Sequence, residues 1–558
     1  MLKHRSSDKV ALIQVVEPYL AAGGQEDGSS WVAPPDRKIT YAQLYDAVVR
    51  AAQSLKALGV GPGDRVGSYS TNCIENVVAS LATAAIGAIW TSAASDFGPS
   101  GVLERFEQVK PKVIFVVDWV SYNGKLHWHL NKVQELMGML TTAGGEKGVK
   151  VEGVIVISSF DVPQQQQQKM GWDPKREETV EMGGCKMFGW DAFLKVGSTA
   201  TTTASSPPFE FYRTSFNHPL WILFSSGTTG KPKPIVHRAG GILLQSLKEL
   251  SICGDWREGE VVFYYTTTGW MMWNFLMGGL GLGCALVLFD GSPLREPSVL
   301  WEMVDRLQIG VFGTSAKYLE VLAKKKYHPN RHHRLSSLRQ IYSTGSPLPP
   351  HSFDYVYESI SPYRSDPTHP NQLVLSSITG GTDICSLFAG VNVALPVYQG
   401  EIQCRMLGMA VCAFEEEDVV STTTTTTTDN AEVGATLPKG RPVGVGIQGE
   451  LPVGFWPLEG FGTPEEVEAA RKRYKAAYFE GFQGVWHHGD HVIVTESREG
   501  NGGGVVMLGR SDGVLNPGGI RFGSAEIYEV IEACFSETHA HDTDDGSTAS
   551  EMIILDSL

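Results

Sequence analysis

The sequence predicts an α/β protein organised around parallel sheet. Two observations carry that reading. Helix-length amphipathic segments alternate with short apolar strands along most of the chain, the pattern of strand–helix–strand units. The chain is also long and apolar enough to bury a large core, at 558 residues and 42% hydrophobic. Length alone suggests three or four structural units.

The elements follow in order. Residues 40–43 read T-Y-A-Q, a capping box. Leu44, Val48, Ala51, Leu55 and Leu58 then recur at helical spacing, and Gly59 marks the stop. Residues 65–69 read as a short strand, 74–88 as a helix, and 113–117 as a buried strand ending before Asp118. Residues 266–289 carry no charge, which allows a membrane span or a core helix, glycine turn and core strand. Asn274 and the glycines at 278, 279, 281 and 283 favour the second, with the strand at 284–289. A glutamine run at 164–168, a Thr/Ser/Pro-rich stretch at 199–208 and seven threonines at 422–428 read as surface insertions. Residues 537–550 read as a further loop, and 552–555 restart an apolar strand, as if a new domain were cut off at Leu558. The chain shows no internal repeat.

The net charge of −15 argues against a non-specific nucleic-acid binder or a polybasic membrane-surface protein. An anion must therefore be held by a local arrangement of donors. Eight scattered cysteines, without a C-x-x-C pair, indicate a reducing, cytosolic compartment. Residues 1–8, MLKHRSSD, have no apolar core behind them, so no signal peptide is expected.

The sharpest local signal is WILFSSGTTGKPKPIVH at 221–237. An apolar strand runs into Ser225, Ser226, Gly227, Thr228, Thr229, Gly230, Lys231, Pro232 and Lys233. Glycines let backbone N–H groups converge, hydroxyls add donors and lysines add charge, which suits phosphate. It is not a Walker loop: Ser225 replaces the first glycine, and Pro232 stands where a magnesium-binding hydroxyl belongs.

This string resembles the signature of the adenylate-forming ligases, which include acyl-CoA synthetases, luciferases and adenylation domains. Four more segments resemble family motifs in the same order. They are Gly345-Ser346-Pro347, Thr379 to Asp383 (TGGTD), His488-Gly489-Asp490, and 509–513 (GRSDG) followed by NPGGIRF at 516–522. The resemblance covers most of residues 1–535. It implies a large domain over 1–509, with several subdomains, parallel sheets and a small β subdomain, and an incomplete α+β domain over 510–558.

It also implies substrates and roles. ATP, magnesium and CoA are expected, with small molecules as partners and neither nucleic acid nor membrane. Ser226 to Lys233 would cradle the β- and γ-phosphates, and Gly345, Ser346 and Pro347 would contact adenine. Thr382 would donate to the α-phosphate, Asp383 would help hold Mg²⁺, and Arg521 would approach the α-phosphate. Asp490 and Arg510 would grip the ribose, and Asp512 would lie at the hinge. The family commonly has Glu at the position of Asp383; the shorter side chain favours a water-bridged contact.

Plainer readings stand beside these. Asp490 also reads as a turn residue, Asp383 as the cap of a helix beginning at Ile384, and Arg510 and Arg521 as surface ion-pair partners. His487, His488 and His491 invite zinc, but their spacing does not establish ligand geometry. No G-x-S-x-G nucleophile elbow occurs.

Within the family, TTTGWMMWN at 266–274, STGSPL at 343–348, TGGTDI at 379–384 and GVWHHGD at 484–490 point to members that activate acetoacetate. Acetate-activating relatives close the acyl pocket with a tryptophan, and Gly380 stands at that position. The resemblance thus predicts an opened pocket, with Trp270 and Trp273 as outer wall or plain core, and an acetate preference for Gly380→Trp. Acetate or propionate ligation is the neighbouring alternative. Relatives carry a catalytic lysine beyond the position of Leu558 and a segment before Met1, and GELPVGFW at 449–456 looks shortened. A weakly active or inactive nucleotide-binding remnant is therefore the second expectation.

Overall fold

The computed structural model describes residues 2–21, 31–142, 149–162, 180–182, 185–198, 209–227, 230–362, 372–414, 441–446, 453–481, 485–496 and 503–510. The three low-complexity stretches and everything beyond Arg510 lie outside them.

Among the described residues two large sheets dominate. The first has the spatial order Val374–Ser377, Gln340–Thr344, Ile309–Ser315, Val261–Tyr264, Ala285–Asp290, Val10–Val16 and Arg37–Thr40. Its strands pair in parallel except the last, which is antiparallel to Val10–Val16. The second runs Val180–Met182, Cys185–Gly189, Gly153–Ile157, Val113–Val117, Arg65–Ser70, Ile89–Ala94, Pro219–Gly227, Gly230–Arg238 and Gly454–Phe455. Its centre is parallel and its two ends are antiparallel.

Neighbouring strand residues point to opposite faces, and both faces of both sheets are covered, so the strands read as continuous apolar runs. Leu12, Val262 and Leu286 face a core shared with Val66, Phe115 and Ile155 of the other sheet. Helices Tyr41–Ala57, Ile74–Ala85 and Met271–Met277 contribute to that shared core. Ile13, Phe263 and Val287 face the opposite way, onto helices Val299–Leu307, Ala316–Lys324 and Pro350–Ser359. Ile114, Val116 and Val154 pack on helices Pro99–Val109 and Leu130–Thr142. The result is five layers, helix and sheet alternating.

The capping box is formed in both directions, Thr40 Oγ1 accepting from Gln43 N–H and Gln43 Oε1 from Thr40 N–H. Strand Gln340–Thr344 begins after residues 335–338 close a turn, Leu335 O accepting from Leu338 N–H at 2.9 Å. The uncharged stretch folds as helix Met271–Met277, a second turn of helix Gly279–Leu282 and strand Ala285–Asp290. No described helix is long and apolar enough to cross a membrane.

Two smaller antiparallel sheets sit beside these layers. One contains Thr379–Gly381, Ser386–Gly390 and Cys404–Arg405; the other contains Ala410–Ala413, Arg441–Gly446, Trp486–Val494 and Val505–Arg510. The expected small β subdomain is the second of these. The seven described cysteines are free thiols.

Candidate active site

The phosphate motif folds as a β-hairpin rather than as an open loop. Pro219–Gly227 pairs with Gly230–Arg238 from Trp221↔His237 to Gly227↔Gly230, with a register shift between Ser225 and Gly227. The strand pairing runs right up to positions 228–229, so the motif is carried on two well-anchored strands. Thr228 and Thr229 lie outside the described residues, and for Ser226, Gly227 and Gly230 only the backbone is described.

Asp383 stands at the tip of a second hairpin. The turn 382–385 joins Thr379–Gly381 to Ser386–Gly390, so Asp383 caps no helix. Its side chain is 2% exposed. Two hydroxyls donate to its Oδ1: Ser225 Oγ from the phosphate hairpin at 3.4 Å, and the phenol of Tyr478. The neighbouring Thr382 carbonyl accepts from His237 Nε2 at 3.0 Å, again from the phosphate hairpin. Burial pulls the His237 pKa down to about 4, against the opposing pull of the Thr382 carbonyl and Asp383. The imidazole is therefore neutral at physiological pH, with its proton on Nε2.

Tyr478 closes the C-terminal end of helix Pro464–Phe479, which starts at a full capping box on Thr463. Its ring stacks on Trp486, centroids 3.8 Å apart and planes 11° from parallel. Lys233 Nζ lies 5.4 Å from the same ring. Trp486 Nε1 donates to His488 Nδ1 at 3.4 Å, which leaves the His488 proton on Nε2. That nitrogen is 3.9 Å from Asp490 Oδ2. Gly489 has φ +80°, a conformation that glycine adopts without strain, and the strand register shifts on either side of it. Asp490, next to this irregularity, is 5% exposed. Asp490 pairs across the sheet with the backbone of Arg510.

A continuous set of contacts thus runs from Ser225 through Asp383, Tyr478, Trp486 and His488 to Asp490. Gly345, Ser346 and Pro347 follow directly on strand Gln340–Thr344. That strand's end is tied to the segment before Thr379: Ser343 O accepts from Ile378 N–H at 3.0 Å, and Thr344 Oγ1 donates to Ile378 O at 3.3 Å.

Other expected residues are placed apart from this set. Lys231 is exposed and pairs with Glu107 of helix Pro99–Val109 at 2.6 Å. Trp273 is 1% exposed, stacks on Trp90 and donates to Asn72 Oδ1 at 3.1 Å, which makes it a core side chain. Trp270 precedes helix Met271–Met277, half-buried and edge-on to Tyr264. At Gly380 a Cβ would stand 2.0 Å from the Ser386 carbonyl oxygen, so the neighbouring strand occupies the space beside it. Arg521 and Asp512 lie outside the described residues.

Strand Ser386–Gly390 is itself pinned. Glu249 accepts from Leu387 N–H at 2.9 Å and from Ser386 Oγ at 2.8 Å, and Gln245 donates to both Glu249 and Ser386. Burial pushes the Glu249 pKa up. Glu249 faces inward from a π-helical turn, Leu247–Cys253, a geometry frequent at functional sites. Sequence reasoning missed Glu249, Tyr478 and the role of His237. Only His237 had a local signal, as the last residue of the phosphate string.

Among the described residues no three His, Cys, Asp or Glu side chains stand close enough together to hold a metal. Magnesium makes a different demand. It is commonly held by one or two carboxylates plus substrate phosphates. A single buried carboxylate beside a phosphate hairpin fits that demand, and Asp383 is such a carboxylate.

Layered parallel sheets, a Gly/Ser/Thr hairpin and a buried acidic turn define a nucleotide-binding α/β enzyme. The family model described as AMP-binding enzyme matches residues 4–361, and the chain belongs to that family. An acetoacetyl-CoA synthetase of Xenopus tropicalis is 42% identical over 534 residues, covering 96% of this chain and 68% of the relative. An acetoacetyl-coenzyme A synthetase of Rhizobium meliloti (strain 1021) is 41% identical, covering 89% of this chain and 66% of the relative. A solved structure, the acetoacetyl-CoA synthetase from Streptomyces lividans, superposes with a TM-score of 0.70 at 35% identity over 95% of this chain and 68% of its own. The chain therefore spans about two thirds of the length of these relatives.

Proposed function

We propose that the chain is an acid–thiol ligase that activates acetoacetate with ATP and passes the acyl group to CoA. An acetoacetate carboxylate oxygen attacks the α-phosphorus, the bond to the β-phosphate bridging oxygen breaks, and pyrophosphate leaves. The CoA thiol then attacks the acyl carbon of acetoacetyl-AMP. The thiol proton is lost, AMP leaves, and acetoacetyl-CoA remains.

Developing phosphoryl charge is met by fixed donors, which is where most of the rate of such a reaction arises. The hairpin from Ser226 to Lys233 binds the β- and γ-phosphates. Thr382 donates to the α-phosphate, held in place by the His237 bond to its carbonyl. Asp383 holds Mg²⁺, which when bound offsets phosphate charge. Asp490 accepts from the two ribose hydroxyls beside Arg510, and Gly345 to Pro347 border the adenine. Arg521 approaches the α-phosphate, and Asp512 is the hinge between a large domain, 1–509, and a small one, 510–558. A cytosolic setting accords with the free thiols.

One observation carries the reading. Residues from three separate sequence motifs, Ser225, Asp383 and Asp490, are joined through one chain of contacts. The test is acetoacetate-dependent release of pyrophosphate from ATP. No release above an acid-free control refutes activation, and equal kcat/KM for acetate refutes the choice of acid.

A further inference from the structure

We infer that Tyr478 is a positioning residue that couples the magnesium side of the site to its ribose side. The inference rests on the ligase reading above and deepens it. Tyr478 makes three contacts with three parts of the site. Its hydroxyl donates to Asp383 Oδ1. Its ring face lies against Trp486 at 3.8 Å, and Trp486 bonds the imidazole beside Asp490. Lys233 of the phosphate hairpin approaches the same ring at 5.4 Å.

The surroundings make this hub rigid. Tyr478 is 3% exposed and Trp486 is 1% exposed. Phe455 meets the Tyr478 ring edge-on at 5.7 Å, and Tyr474 meets it at 5.4 Å. A buried phenol usually finds a hydrogen-bond partner. Here the acceptor is a carboxylate, and such charge-assisted bonds are the stronger kind. Asp383 is thereby held by Ser225 and by Tyr478, and Tyr478 extends the restraint to the Asp490 strand. Tyr478 acts through Asp383 and Trp486 and transfers no group itself.

The decisive variant is Tyr478→Phe, which keeps the stack and removes the hydroxyl. ATP affinity of the full chain is titrated calorimetrically against magnesium, with metal-free AMP as the reference ligand. Losing a hydrogen bond to a charged group predicts about a tenfold or greater rise in the magnesium needed for half-maximal ATP binding. AMP affinity stays within about twofold, the error expected of an undisturbed contact. In a double-mutant cycle, Tyr478→Phe adds nothing once Asp383→Asn is present, because the two act as one unit. Trp486→Phe, which trims the ring on which Tyr478 rests, weakens AMP and also raises the magnesium requirement, because the phenol on Asp383 is seated on that ring.

A Tyr478→Phe titration that overlays wild type overturns the inference, as do losses that add in the cycle. If Tyr478→Phe does not fold, an unchanged magnesium requirement in Trp486→Phe overturns it instead. Failure of the ligase reading looks different: wild type itself then binds no ATP and releases no pyrophosphate with acetoacetate.

Discussion

Gly380 offers the most direct test of how acid choice is built. By family resemblance, a tryptophan here would close an acyl pocket, and glycine would open it. The structure sets a different cost. A Cβ at 380 would meet Ser386 O at 2.0 Å, and Ser386 C and Leu387 Cα at 2.9 Å. All three are backbone atoms, and real Cβ atoms essentially never come within 3.0 Å of such neighbours. The strand must therefore retreat by about 1 Å or more, since a stable carbon–oxygen contact lies near 3.3 Å or beyond. It is not free to do so, because Glu249 holds Leu387 N–H and Ser386 Oγ from the other side. Overpacking of this kind costs about 1–3 kcal/mol, and the strain falls on the hairpin that carries Thr382 and Asp383. Gly380→Ala is thus expected to lower the urea midpoint and to reduce kcat/KM for acetoacetate and acetate together, with their ratio unchanged. Gly380→Trp is expected to fold poorly. The assays are urea unfolding and pyrophosphate release with each acid. A Gly380→Trp protein as stable as wild type, with its preference moved to acetate, would refute the close-approach argument and place an acyl pocket at this position.

Three further outcomes follow from the same geometry. Asp490→Ala, which removes a bidentate acceptor, should weaken ATP by about a hundredfold at charge-assisted bond strengths; an unchanged calorimetric Kd would take Asp490 out of the site. Glu249→Ala should leave Leu387 N–H and the Ser386 hydroxyl buried without their acceptor, at about 1–3 kcal/mol for each unpaired group, read as a lower urea midpoint. Unfolded His237 takes up a proton below pH 6.5, whereas in the fold it stays neutral down to about 4. Its contribution to stability is therefore complete above pH 6.5 and declines as pH falls toward 4. At about 1.4 kcal/mol per pH unit, wild type should lose about 2 kcal/mol more than His237→Gln between pH 8 and pH 5. Parallel pH profiles of the two urea midpoints would rule that out.

Much of the architecture was legible without coordinates, because local chemistry decides it. Thr40 and Gln43 announce a helix by their own reciprocal bonds. Val113 to Val117 and residues 284–289 are short, continuously apolar runs, the pattern of strands covered on both faces. The phosphate motif was legible for the same reason: its glycines, hydroxyls and lysines are adjacent in the chain. Its form was not, since a string of turn-forming residues does not reveal that Gly230–Arg238 will find an antiparallel partner and a further strand beyond it.

The sequence by itself determined the class of fold, the order of the motifs and the identity of Asp383 and Asp490 as the acids to watch. Tertiary structure alone decided what those acids touch. Tyr478 lies 95 residues from Asp383, and Ser225 lies 158 residues from it. Nothing in the neighbourhood of a tyrosine at a helix end distinguishes a phenol that restrains a carboxylate from one that merely fills space. The same limit hides Gly380, where the reason for glycine is a strand packed against it. Periodicity records which residues will be buried; only the assembled chain determines which buried groups meet.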